Sequence, residues 1–276
     1  MTLNGLCATF YEMTDPFILK LILSFITGSL WITIGTVLAE RYGTKIGGLV
    51  AGLPSTILVS LFFIAWTQSV ETATAATTVV PIVGGINCLF IIVYIYLIRT
   101  GFWLALSGAL AVWFFSSLIL VIIGFNSFPF SVFAYICMLV FSYRVAEHKF
   151  SVRSESGKKM QYTAPIILSR GAFSGLVIVI AVVMTKIGGP LIGGAFTMFP
   201  AMFIGTLFIT YFTHGASFSS AVMKSSIPGA VSVVVYGVSV RYTYVPLGLL
   251  PGTLVSLLIA FCCSLLIHQF MTRHTA

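Results

Sequence analysis

Polar side chains are sparse along this chain, and they divide it into long apolar runs separated by a few charged or hydroxylated residues. A helix needs about 20 apolar residues to cross the hydrocarbon of a bilayer. By that measure the pattern predicts nine spans, over 17–39, 46–67, 72–98, 102–125, 128–146, 164–185, 188–213, 217–240 and 245–269. The fifth is short and ends in Arg144. The second carries Gly47, Gly48, Gly52 and Pro54, so it either crosses or re-enters, and the parity of the count turns on both. The expected fold class is therefore all-α, a polytopic membrane protein.

Within this pattern one stretch occurs twice. Thr44-Lys45-Ile46-Gly47-Gly48 recurs as Thr185-Lys186-Ile187-Gly188-Gly189. Each copy continues with small residues, Gly52 in one and Gly193 in the other, and then reaches a proline, Pro54 or Pro200. Aligned on those prolines, Leu61-Phe62 pairs with Leu207-Phe208, Thr67 with Thr213, and Pro81 falls beside Pro228. An identical pentapeptide with co-linear prolines is hard to obtain from composition alone, and it predicts an internal repeat. The organisation that follows is a tail (1–16), a four-helix repeat (17–125), a linker helix with a loop (126–163), a second four-helix repeat (164–269) and a tail (270–276). A single helix between the copies turns the second over, so the repeats are expected to be inverted, about an axis in the membrane plane.

Composition strengthens the membrane reading. Hydrophobic residues make up 59% of the chain and charged ones 7%, at a mean hydropathy of +1.10, whereas a soluble surface needs about a quarter charged residues. The net charge of +8 is scattered or held in one loop instead of forming a basic stripe, which argues against nucleic acid as a partner. Placed by the positive-inside rule, Arg41, Lys45, Arg99, Arg144, Lys149, Arg153, Lys158, Lys159 and Arg273 fall on the cytoplasmic side, and Lys20, Lys186 and Arg241 outside. This predicts a multi-pass cell-membrane protein (inner or plasma membrane) with its N-terminus outside and its C-terminus cytoplasmic. The run behind Glu12 and Asp15 lacks the basic front of a signal peptide and is expected to stay as an anchor.

The segment from Gly47 to Thr56, with Arg99-Thr100-Gly101-Phe102-Trp103 further on, resembles a family of small uncharacterised bacterial membrane proteins of about half this length. The resemblance covers the first repeat. It implies that a four-helix half can exist alone and that this chain is a fused version; it brings no activity to carry over. Phe199-Pro200-Ala201 departs from the family's pattern of leucine, proline and hydroxyl.

Candidate chemistry gathers where the repeats break. Proline and clustered glycine free backbone groups at membrane depth, which a neighbour, water or a ligand must satisfy. In inverted-repeat transporters half-helix N-termini face anions and unwound carbonyls hold cations. The expected substrate-binding residues are Pro54, Ser55, Thr56, Thr197 and Pro200, with Thr206 nearby. To these are added Arg170, a charge about two turns into a span, and Asn87, placed to bond across helices or touch substrate. A charge at the helix centre costs roughly 2.5 to 3.5 kcal/mol, so such a residue usually faces a wet cavity or a partner, unless it snorkels to the headgroups. Gly47, Gly48, Gly52, Gly188, Gly189 and Gly193 are expected to serve as hinges or packing contacts.

Absences also bear on function. The six carboxylates and four histidines fall in tails, loops or span ends, and the five cysteines have no CxxC spacing. No metal, disulfide, cofactor or catalytic set is expected, and an enzyme has little support. The leading expectation is a secondary transporter or flippase for a small anionic or polar, lipid-linked or free, solute. An ion channel and a non-catalytic subunit of a larger complex are the alternatives. Expected partners are membrane lipid and a small-molecule or ion substrate, with a homodimer left open.

Overall fold

The computed structural model describes residues 15–41, 54–149 and 164–274, and these are helical almost throughout. In chain order the helices are α1 (Asp15–Arg41), α2 (Ser55–Thr67), α3 (Val70–Ala76), α4 (Val80–Leu97), α5 (Phe102–Ile122), α6 (Phe128–Arg144), α7 (Ala164–Thr197), α8 (Ala201–Gly229), α9 (Val231–Leu247) and α10 (Leu249–His274). A 3₁₀ turn, Thr77–Val79, carries α3 into α4. Several of these runs are long and apolar enough to cross a membrane, among them Pro16–Val37, Phe102–Ile122, Phe128–Glu147 and Leu249–Ile267.

The segment from Val70 to Thr100 is the axis of the bundle. In its most apolar window 83% of residues are buried, against 28% for Pro16–Val37 and 22% for Leu249–Ile267. A helix apolar on all sides belongs in the interior, whereas one that keeps large apolar side chains outward suits contact with lipid. Phe90, Ile91 and Tyr94 accordingly lie fully inside, while α5, α6 and α10 present Phe114, Phe115, Phe133, Leu254 and Leu266 outward.

Helix breaks follow one order in both parts of the chain. Pro54 (φ −76°, ψ 57°) precedes α2, and Pro200 (φ −76°, ψ 38°) precedes α8. α2 ends at Gln68, and α8 is broken at Gly215 (φ 85°). Pro81 enters α4, and Pro228 closes α8. Gly101 (φ 133°) precedes α5, and Gly248 (φ 80°) precedes α10. A positive φ is a conformation that a side chain resists, so glycine marks both of these last turns. α7 is broken at Gly189 (φ 84°), followed by Pro190. The break separates a long piece, 164–188, from a short one, 190–197. Gly47, Gly48 and Gly52 lie outside the described residues.

Two pairs of helices distant in the chain run in opposite directions. Phe17 lies beneath the Lys186 ammonium, Phe25 faces Gly175, and Ser29 faces Gly171, so one number rises as the other falls. α1 and the long piece of α7 therefore run antiparallel, and at Gly171 and Gly175 their backbones nearly touch. The central helices do likewise: Arg241 donates to Thr78 Oγ1 at 3.0 Å, Gly237 packs on Val80, and Gly84 packs on Val234. α4 packs along α5 and α9 along α10.

The prediction of one continuous span over 188–213 needs correcting in form. Phe199 and Pro200 interrupt that stretch, so it consists of the short piece of α7 and the first piece of α8. Proline removes an amide donor and clashes with the preceding turn, which accounts for the interruption. α2 is 13 residues long, roughly 20 Å, and cannot by itself cross a hydrocarbon layer of about 30 Å.

Candidate functional site at the helix breaks

The break at Pro200 gathers several of the residues singled out from the sequence. Thr197 ends the short piece of α7, and its buried hydroxyl donates to Gly194 O at 2.7 Å. Met198 and Phe199 fold back by tight turns, their amides donating to Ala195 O and Phe196 O, each at 3.1 Å. Pro200 then starts α8 with no side-chain cap and no acidic residue in the first turn. The opening amides of a helix have no intrahelical acceptors, and they carry the positive end of its dipole.

Two polar side chains reach this break from other helices. Asn87, buried on α4, donates from Nδ2 to Met198 O at 2.9 Å, and its Oδ1 is enclosed without a hydrogen-bond partner among the described residues. Arg170, on α7, places Nη2 at 3.9 Å from Met202 Sδ, and Ser174 Oγ lies at the same distance from that sulfur. Thioether sulfur is a weak acceptor. The Arg170 stem passes Gly205, where an added Cβ would come within 3.3 Å of Cγ. Because Gly171 abuts Ser29, near the middle of α1, Arg170 sits well along the bundle and beside the first turn of α8. Aromatic rings wrap the turn: Trp113 of α5 and Phe173 of α7 lie against Phe199 at 5.0 and 6.4 Å, and Phe90 stacks on Phe203 at 6.3 Å.

The break at Pro54 has the same uncapped start and different surroundings. Leu58 N donates to Pro54 O at 2.9 Å, and again no side chain caps the helix. Ser55 is half-buried in the first turn, and the hydroxyls of Thr56 and Ser60, one turn apart, are enclosed without a hydrogen-bond partner among the described residues. At the far end of α2, Lys20 donates to Trp66 O at 2.8 Å, and Gln68 Nε2 reaches Val182 O at 3.3 Å. A cation at a helix C-terminus satisfies both an orphan carbonyl and the dipole.

The structure thus brings Asn87, Arg170, Thr197 and Pro200 to the break at Pro200, and sets Pro54, Ser55 and Thr56 at the start of α2. At Gly189 the requirement lies in the backbone: its φ is positive, and no described residue lies within 4 Å of an added Cβ. Gly188 and Gly193 are packing positions, with an added Cβ 2.6 Å from Ile192 Cδ1 and 2.8 Å from Thr185 Cα respectively. Sequence reasoning missed Met198 and Met202, which look like ordinary apolar filler. It also missed the crossing at Gly171 and Gly175, although their four-residue spacing is the small-residue signature of close helix contact. Elsewhere in the bundle, Lys224 pairs with Glu147 at 2.7 Å.

Residues 21–126 match a family model described as "Protein of unknown function (DUF3147)". The matched stretch runs from within α1 to just beyond α5, so this chain is similar to that family over its first part, as the resemblance to an uncharacterised family led one to expect. Neither a curated protein nor a solved structure matches the chain.

Proposed function

We propose that the protein is a secondary transporter or flippase for a small anionic or polar solute, free or lipid-linked, working by alternating access between two inverted four-helix halves joined by α6. The observation that carries this reading is the pair of uncapped helix starts at Pro54 and Pro200, set in two series of helices whose counterparts cross antiparallel. In such an arrangement each half offers a positive helix end at depth, and a rocking motion presents them to opposite faces in turn. Arg170 adds a full charge at the second end, where removal from bulk water strengthens its attraction for an anion. The nine-span count and an external N-terminus complete the reading.

Purified full-length protein in proteoliposomes tests it. Saturable uptake of an anion from a panel of phosphates, carboxylates and lipid-linked phosphates, accelerated by unlabelled anion trapped inside, is the expected result. Arg170→Ala should abolish that flux with the melting curve unchanged. Absence of counterflow for every anion, or full flux in Arg170→Ala, would overturn the proposal.

A further inference from the structure

We infer that the Pro200 break also holds a small monovalent cation of the sodium kind, bound by the Asn87 carboxamide oxygen and the backbone turn at 197–199. This deepens the transporter reading and rests on it for its meaning as a coupling ion, although the binding itself can be measured without any solute.

The first ground is the polarity of the groups that meet there. Asn87 is 7% exposed, and its Nδ2 is committed to Met198 O. Its Oδ1 is an enclosed acceptor with no donor among the described residues. Thr197 spends its only hydroxyl proton on Gly194 O, so that oxygen has only acceptor capacity left. Met198 O, a carbonyl with two lone pairs, takes one donor from Asn87. A buried acceptor with no donor, as Asn87 Oδ1 is among the described residues, is costly, and protein interiors supply a partner in nearly every case. A desolvated cation is the partner that several acceptors can share at once.

The second ground is the field. The short piece of α7 ends at Thr197, so its terminal carbonyls present the negative end of a helix dipole to this turn, while the positive end of α8 starts beyond it at Pro200. A cation on the Thr197 side and an anion on the Arg170 side would then lie on opposite sides of the same proline, each at the helix end of matching sign.

The third ground is the nature of the ligands. Hard cations take oxygen ligands, and divalent ones generally need carboxylates among them. Among the described residues no cluster of carboxylate, histidine or cysteine side chains could hold a metal. Neutral amide, hydroxyl and carbonyl oxygens fit a single positive charge. Gly84 and Gly85, three and two residues before Asn87, pack on Val234 and on Met138, which holds α4 close to its neighbours.

The test is thermal unfolding of the purified full-length protein in detergent, titrated with NaCl, LiCl or KCl at constant ionic strength made up with choline chloride, with no anionic solute beyond chloride. The inference predicts a saturable rise in melting temperature with sodium that choline does not give. Asn87→Ala should weaken the sodium half-saturation at least tenfold. Where Asn87→Ala cannot be isolated folded, Asn87→Gln, which keeps the carboxamide but displaces it by one methylene, should show the same loss. A sodium-indifferent wild type, as expected if Oδ1 binds water only, would overturn the inference, and so would an unchanged half-saturation in the folded variant. Sodium binding without anion flux would sink the transporter reading alone; anion flux without sodium binding would sink the coupling site alone.

Discussion

The crossing of α1 with α7 supports a quantitative prediction. At Gly175 an added Cβ would meet Ser29 Oγ and lie 2.8 Å from Phe25 O; at Gly171 it would meet Thr33 Oγ1 and lie 2.8 Å from Ser29 O. A hydroxyl can rotate away, but a backbone carbonyl held in a helix cannot, so Gly175→Ala must push the two helices apart. Overpacking of this kind costs about 1 to 3 kcal/mol. Alanine recovers up to about 1 kcal/mol over glycine in a helix, so a full recovery leaves a net loss of up to about 2 kcal/mol. Gly229→Ala supplies the control, because nothing lies within 4 Å of a Cβ there and its φ is not positive; its effect should stay within about 0.5 kcal/mol, as for open surface positions. Unfolding of both variants in detergent, followed by helix signal against denaturant, measures the difference. The double variant Gly171→Ala/Gly175→Ala should fall short of additivity, since the first substitution already separates the helices that the second would strain. Equal stability of Gly175→Ala and Gly229→Ala would refute the close antiparallel crossing.

Three further outcomes are expected. Gly101→Ala and Gly248→Ala meet no described neighbour within 4 Å but force alanine into a region of positive φ and extended ψ that only glycine adopts readily, so each should cost about 1 to 3 kcal/mol, and clearly unequal costs would speak against their being equivalent turns. Glu147→Gln and Lys224→Gln should each lower stability by no more than about 1 kcal/mol, because Glu147 is 46% exposed and solvent screens the pair; the exchange Glu147→Lys/Lys224→Glu should recover part of the loss, and full additivity of the two single effects would remove the ion pair from the account. Gly189→Leu should impair transport by distorting the hinge, since its φ is +84° and open space surrounds it; wild-type flux and stability in that variant would show that the break tolerates an ordinary side chain.

Much of the helical order was legible in the chain because lipid-facing and core-facing spans are apolar alike, so hydropathy marks their extent even where it cannot mark their partners. The prolines were equally readable: Pro54 and Pro200 stand at helix starts because a residue without an amide hydrogen is tolerated there. Asn87 was legible as a residue that bonds between helices. Less legible was the form of the breaks, since nothing in Gly189 or Gly215 distinguishes a positive φ from a close contact until the backbone is seen. The setting of Arg170 was hidden for a different reason. Its neighbours, Met202 and Gly205, come from another helix, and contact across 32 residues leaves no local pattern. Inversion was inferred from parity alone, whereas the antiparallel runs of α1 with α7 and of α4 with α9 are contacts between helices far apart in the chain, which no local pattern could provide.

Inversion itself is tested most directly by the faces on which two equivalent turns emerge. Thr100, beside Gly101, and Leu247, beside Gly248, are both exposed, so single cysteines there, in a background without the five native cysteines, can be labelled with a membrane-impermeant maleimide. The account predicts that Leu247→Cys labels in intact cells and that Thr100→Cys labels only after the membrane is permeabilised. Labelling of both from the same face would contradict the inverted halves and the alternating-access mechanism built on them.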